Sequence, residues 1–405
     1  MTIELERPVK FRDLVPEIPS TTYATFGLYK YPAKFIPHVI AYALKTFAEP
    51  SMSVFDPFAG YGTVGTVARI YCNDYELWDL NPLLGHLHSI ATMSPVRIDV
   101  PNLVREIKAY NHRFQPDWSN MAYWYPDVFL PMIQKVWGFY HSLDDGDIKR
   151  ILLIPLLKTT RYYSYNDEKR QKLSKSPIAQ KRINKLLHAD WREIFFERIL
   201  VGIDQILKRL EEYDKLNHNQ VNSVVRAGID AFRTELSRNH NILLTSPPYL
   251  QAQEYIRASK MDLFWLGYSQ SRIKELSKLE FPYQDVPCIP IHSNTYHEYL
   301  EDITEPHMRR MFEQYFFGVL GTLSRLQNNI TNYLLLFVGS ATVRTRPIPI
   351  DRIFIEHFQT LGWNHEATLI DTIVSRAMFF YDHNPATGSN DKRMSTEHLV
   401  VLTRS

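Results

Sequence analysis

The sequence predicts an α/β fold, a single mostly parallel sheet domain that carries a large, mainly helical insertion. Three observations predict it. Apolar runs that read as buried strands, "MSVFD" and "YELWD", flank a glycine-rich turn and a helix, the unit from which parallel sheets are built. Strand character is then weak from about Ser94 to Asn222 and returns at "SVVRAG" and "NILLTS". The strand-bearing pieces bracket the helical block. One sheet domain over 1–93 and 223–405, with 94–222 inserted, is therefore simpler than two domains in series.

Each element follows in order. Residues 1–30 read as irregular, because Pro8, Pro16 and Pro19 interrupt any period. Apolar residues recur at helical spacing from Ile36 to Phe47, and Pro37 suits a first helical turn. In the insertion, "DIKRILLIPLLKTTRYY" and "DWREIFFERILVGIDQILKRLEEY" are periodic amphipathic stretches. A second helical stretch, 253–330, includes "EYIRASKMDLFWLGY" and "PHMRRMFEQYFFGVLGTLSRL". The remainder offers a strand "NYLLLFVGS", a helix "DRIFIEHFQTLG", and strands near "HEATLIDTIV" and "EHLVVLTR".

Composition bounds the function loosely. With 45% hydrophobic and 22% charged residues the chain resembles an ordinary soluble globular protein. A net charge of +2 neither demands nor excludes a nucleic-acid partner, so any basic surface must be local. Cys72 and Cys288 match no zinc or redox spacing, which predicts reduced thiols in a cytosolic protein. "MTIELERPVK" is too charged for a signal peptide, and no apolar run approaches the roughly 18 residues of a membrane span.

"DPFAGYGTVG" supplies Gly60, Gly62 and Gly65 between a strand and a helix. Glycines there permit a tight turn and a close approach to a ligand, while the helix presents free N–H groups. A ligand-free turn is the plainer reading, and a phosphate-binding P-loop is excluded because no Gly-Lys-Ser/Thr follows. Two acids favour a bound nucleoside. Asp56 sits at the strand end, and Asp79 follows at the end of the next strand, a place suited to bridging ribose hydroxyls. "TSPPYL" (245–250) caps a later strand, so it opens into the same crevice. Its prolines hold a rigid exit and donate no hydrogen bonds. Ser246 and the Pro247 carbonyl suit a planar ring bearing an amino group, with Tyr249 stacked on the ring; the plainer reading is a structural turn with an exposed tyrosine.

Taken together, "DPFAGYGT", "DLNP" and "TSPPY" resemble the matching elements of the S-adenosylmethionine-dependent DNA amino-methyltransferases, in particular those acting on N4 of cytosine. "KYPAKFIP", "EYIRASKMDLFWLG", "RPIPIDRIF" and "MSTEHLVVL" also resemble family segments, and the likeness covers roughly 23–90 and 224–405. It implies a Rossmann-like class I methyltransferase sheet, mostly parallel and seven-stranded, with an antiparallel C-terminal strand. It implies that Asp56, Phe58, Gly60, Gly62 and Thr63 line the cofactor pocket and that Phe35 closes it. Asp79 would hold the ribose and Asp230, in "AGIDAF", the adenine amino group. Ser246, Pro247, Pro248 and Tyr249 would form the catalytic tetrapeptide that holds a flipped base, the leading serine pointing to cytosine. The cofactor loop precedes the tetrapeptide here, unlike the order in many cytosine-N4 members.

The partner so implied is double-stranded DNA, with a cognate restriction endonuclease as a further one, in the prokaryotic cytosol at the nucleoid. No metal is implied, since the 15 histidines show no ligand pairing. No cysteine nucleophile is implied either, because "DVPCIP" lies outside any strand end. For the nucleic acid, Lys169, Arg170, Lys172, Lys175, Lys181 and Arg182 mix with Tyr162, Tyr163 and Tyr165 in a way that suits phosphate contacts; a solvated helix face is the alternative. Arg257 and Lys260 either hold phosphates flanking a flipped nucleotide or form helix-surface ion pairs. The enzyme rivals are an adenine-N6 DNA methyltransferase and an RNA guanine-N2 methyltransferase. A catalytically silent DNA-binding protein is a third reading. A nuclease built on "PD" at 126 and "DEK" at 167 fails, because no strand surrounds the second triplet.

Overall fold

The computed structural model describes residues 5–32, 34–170, 172–250, 254–339, 341–343, 346–372 and 396–404. The chain opens with β1 (Glu6–Val9), α1 (Phe11–Leu14) and α2 (Pro37–Phe47). β2 (Ser53–Asp56), α3 (Thr63–Ala68), β3 (Asp74–Asp79) and α4 (Leu83–Ala91) follow. The insertion then runs through α5 (Val100–Ala109), α6 (Met121–Trp124), α7 (Leu130–Ser142), α8 (Asp147–Tyr162), α9 (Pro177–Leu187) and α10 (Trp191–Asp214). β4 (Ser223–Ala227) and β5 (His240–Thr245) return the chain to the sheet. Four helices come next: α11 (Tyr255–Trp265), α12 (Gln270–Lys278), α13 (Asn294–Glu301) and α14 (Pro306–Leu326). The last elements are β6 (Ile330–Gly339), the pair β7 (Ala341–Val343) and β8 (Arg346–Ile348), α15 (Ile350–Thr360), β9 (Asn364–Thr372) and β10 (Thr396–Thr403).

Eight strands form the main sheet in the order β1-β9-β10-β6-β5-β2-β3-β4. β10 runs antiparallel to both β6 and β9, and every other neighbouring pair is parallel. This is the Rossmann-like sheet the sequence predicts, with one strand more. The eighth is β1, in a segment that reads as irregular because of Pro8. An edge strand tolerates proline, since its missing N–H costs no ladder bond on the open side. From β2 the chain builds outward to β3 and β4, then returns to β5 on the other side. That reversal opens a crevice at the carboxyl ends of β2 and β5, where ligands bind in open α/β sheets.

The inserted helices share a hydrophobic core with α4, α11 and α12, built around Trp137, Leu156, Ile199, Met261 and Trp265. α8 and α10 approach closely at Gly202, where a Cβ would lie 2.9 Å from that of Pro155. One buried ion pair joins the block to the sheet domain. Arg161 of α8 donates from Nε to Asp262 Oδ1 (2.6 Å) and from Nη2 to Oδ2 (2.7 Å) and the Ala258 carbonyl (2.6 Å). The Tyr29 hydroxyl donates to the same carboxylate at 2.9 Å. Replacing Arg161 with Ala strands the Asp262 charge in the interior, an effect of about 3–5 kcal/mol. Urea denaturation of Arg161→Ala is expected to show a loss of that size, and an unchanged midpoint would show that the pair does not hold the block.

Candidate functional site

Four neighbouring strands deliver their carboxyl ends to one cavity of about 820 Å3, its open mouth included. Residues after β2 (Phe58, Gly60), β3 (Asp79, Asn81), β4 (Asp230) and β5 (Ser246, Pro248) line it. Tyr31, Pro32, Lys34 and Phe35, with Leu279, Glu280 and Phe281, supply further walls. Gly60 and Ser246 thus face one space although 186 positions separate them (246 − 60).

The glycine loop is held on both sides. Gly60 N–H donates to Asp79 Oδ2 and Asn81 N–H to Oδ1, each at 2.7 Å. Each carboxylate oxygen keeps a second lone pair for a ligand. Burial pushes the Asp79 carboxyl up to about 6. Gly60 adopts φ +53°, and a Cβ there would sit 3.1 Å from the Tyr31 ring. The backbone therefore passes directly beneath that ring. On the far wall Asp230 accepts from Phe232 N–H (3.0 Å) and from Gln284 Nε2 (2.8 Å). Phe35 stacks on Phe337 with centroids 5.3 Å apart, and Phe58 meets Phe281 edge-on.

Not every expected contact faces the cavity. Asp56 is buried behind it, where Oδ1 accepts from Thr245 Oγ1 (2.6 Å) and Phe58 N–H (3.0 Å); burial raises it to about 7. It braces the β2 and β5 ends and does not line the pocket. Gly62 and Thr63 are also set back. Gly62 takes φ +83° to start α3, and a Cβ there would meet the His88 ring at 2.7 Å, so packing requires glycine. Pro247 is buried outside the lining. Tyr249 is turned away too, its hydroxyl donating to Glu397 of β10 at 2.9 Å. The aromatic walls are instead Tyr31 and Tyr255, nearly parallel (24°) with centroids 6.5 Å apart.

Sequence reasoning passed over Tyr31, Tyr255, Lys34 and Glu280. The first three lie within the quoted segments "KYPAKFIP" and "EYIRASKMDLFWLG", without a pattern that singles them out. Glu280 sits in "KLEFPY", which carries no period. Its Oε1 caps α11 by accepting from Ile256 N–H at 2.8 Å. Lys34 donates to the carbonyls of Thr21 and Phe26, and burial lowers its ammonium to about 8. Among the described residues the lining holds three carboxyl groups, Asp79, Asp230 and Glu280, against one ammonium. The cavity suits a ligand with positive charge.

The basic residues of the insertion are mostly engaged. Residues 163–170 and 172–176 lie outside the helices, pinned by a bridge between Asn166 and Lys175, and α9 begins only at Pro177. Lys172 and Arg257 both pair with Glu254 (2.8 and 3.1 Å), and Arg170 reaches Asp167 at 3.5 Å. Arg182 pairs with Glu168 and donates to the Ser164 and Asn166 carbonyls. Lys175 lies 3.5 Å from the centroid of the Tyr123 ring, and Lys260 5.8 Å from that of Phe264. Lys169 and Lys181 are exposed. For Arg257 the helix-surface ion pair is what forms. Met394 and Ser395, in the last quoted segment, lie outside the described residues. Among the described residues no helix is long and apolar enough to cross a membrane, and no cluster of three metal-ligating side chains occurs.

Fold and site together define a Rossmann-like α/β protein with an acidic small-molecule cavity at its switch point. No protein-family model matches the chain, and no curated protein does. Among solved structures it is similar to the rRNA methyltransferase aviRa from Streptomyces viridochromogenes, at 10% identity over 93% of this chain and 88% of that one, with a TM-score of 0.30. A likeness this loose says nothing about the site.

Burial raises Glu280 to about 8 from an ordinary 4.5, so the folded protein holds a proton that the unfolded chain releases. This contribution is complete below about pH 4.5 and lost as pH rises through about 8. Glu280→Gln fixes the neutral form. Its melting temperature is expected to match wild type at pH 5 and exceed it at pH 8.5, by about 2–4 °C per kcal/mol. Equal curves across that range would show that Glu280 ionises freely.

Proposed function

We propose that the chain is an S-adenosylmethionine-dependent methyltransferase that modifies an exocyclic amine of a nucleobase, the N4 amine of a flipped cytosine in duplex DNA. The observation that supports it is the meeting of the glycine loop, Asp79, Asp230 and Ser246 in one acidic cavity at the strand ends. The residues fit the cofactor. Asp79 has lone pairs for two ribose hydroxyls, Asp230 for an adenine amino group, and Lys34 a remaining N–H for a carboxylate. With Glu280 holding its proton up to about pH 8, Asp79 and Asp230 face the single ammonium of Lys34, a balance that still favours a cationic ligand over an anionic one.

When bound, S-adenosylmethionine supplies a methyl group on a cationic sulfur, open to attack by a nitrogen lone pair. The protein's task is then alignment. A base inside a duplex cannot reach such a cavity, so the nucleotide must swing out. Tyr31 and Tyr255 offer faces against which a planar ring can stack. The amine is a poor nucleophile because its lone pair is delocalised into the ring. The Ser246 hydroxyl, accepting from the amine, draws the nitrogen towards tetrahedral geometry and localises the lone pair on it. No covalent attachment to the protein is needed.

Incubation with tritium-labelled S-adenosylmethionine and duplex DNA, followed by nucleoside analysis, is expected to place label in N4-methylcytosine. Label in N6-methyladenine or in RNA would move the substrate assignment, and label in no nucleic acid would reject the reading. Ser246→Ala is expected to lower turnover by roughly 10²–10³-fold, the scale for one preorganised hydrogen bond at a reacting centre. Its cofactor affinity by calorimetry should stay near normal; a collapse there would overturn the role given to Ser246. Asp79→Ala should weaken cofactor binding by about 10–100-fold, as for hydrogen bonds to a charged group.

A further inference from the structure

A second cavity, of about 740 Å3 with its mouth, shares a wall with the first. Tyr31 and Pro32 line both. α11 borders the first with Tyr255 and Ile256 and the second with Ala258, Ser259 and Asp262. The opposite wall comes from the helical insertion, chiefly Lys158, Arg161 and Arg170.

The charge of this second cavity is the reverse of the first. Lys30, Lys158, Arg161 and Arg170 line it against two acids, Asp262 and Glu168. Neither lining acid is available, because Asp262 is held by Arg161 and Glu168 by Arg182 from outside the lining, while exposed Arg170 has only Asp167, at 3.5 Å and also outside the lining, as its own partner. Lys30 donates only to neutral acceptors, the carbonyls of Glu168 and Lys169. Lys158 is half-buried, and the charges acting on it are Arg209 and Arg198, both of its own sign. Burial and those two guanidinium groups lower its pKa. An anion bound in the cavity would offset both effects and favour the charged amine.

We propose that the second cavity is a phosphate subsite, in which Lys158 and Arg170 take a backbone phosphodiester of the strand whose base enters the first cavity. The proposal rests on the base-methylation reading above and deepens it. A carboxylate or free phosphate would satisfy Lys158 alone. The shared Tyr31–Pro32 wall favours a polymer, which can place a base on one side and a phosphate on the other. The basic residues that stand out in the sequence lie mainly elsewhere; of them only Arg170 lines this cavity.

The test is the affinity of the full chain for a fluorescent oligonucleotide, measured over a range of KCl concentrations. Losing one phosphate contact reduces the slope of log affinity against log salt by about 0.7–0.9 and weakens binding roughly tenfold near 0.1 M salt. Lys158→Ala is expected to show both effects, Lys158→Arg to restore them, and cofactor affinity to be unchanged in each. An unaltered slope in Lys158→Ala, with wild type binding normally, would overturn the subsite and leave the methyltransferase reading intact. Displacement of the oligonucleotide by millimolar inorganic phosphate, abolished in Lys158→Ala, would assign the cavity to a free anion and also overturn the proposal. Wild type that neither binds nor labels any nucleic acid would reject the underlying reading itself.

Discussion

The hydrogen bond from Thr245 Oγ1 to the buried Asp56 carboxyl, 2.6 Å long, holds the site together. It ties the ends of β2 and β5, the strands flanking the point where the sheet reverses. Without such a tie, the two loops would leave the sheet independently. The same carboxyl oxygen accepts from Phe58 N–H, which fixes the first turn of the glycine loop. β3 completes the frame, since its Trp78 carbonyl accepts from Ala59 and Asp79 from Gly60. A small buried network thus sets the positions of Phe58, Gly60 and Asp79 at the cavity, and of Thr245 next to Ser246. Hydrogen bonds in such a dry setting are costly to leave unmade, which makes the arrangement stiff.

Charge is segregated on either side of one thin wall. The first cavity gathers carboxyl groups after β3 and β4 and in the 279–281 segment, while the second gathers Lys and Arg from the insertion. Neither surplus shows in the net charge of +2, because the two offset each other. Local sorting of charge, more than total charge, gives each cavity its preference. The sheet provides the acidic side because acids at strand ends can accept from loop N–H groups. The helices provide the basic side because long side chains reach across from a separate core.

Much of the fold was legible because its signals are local. Apolar runs such as "NILLTS" and the glycines after "MSVFD" mark strand ends without reference to anything distant, and Asp79 and Ser246 follow from those ends, whereas Phe35 and Asp230 were singled out only by the family resemblance. What was not legible depends on partners far along the chain. Asp56 looks like a ligand contact until Thr245 is seen against it. Tyr249 looks like a stacking ring until Glu397 is found at its hydroxyl. The basic run reads as a nucleic-acid surface by composition, yet Glu254, Asp167 and Glu168 take up much of its charge. β1 was hidden by Pro8, which forbids a central strand but not an edge one.

The Asp262 carboxylate receives Tyr29 from the N-terminal segment and Arg161 from the insertion while itself belonging to α11. Three stretches of chain are thereby riveted at one point under the wall between the cavities. Any breathing that admits a bulky guest must pivot around this rivet. The partition between the two cavities therefore stays put whichever of them is filled.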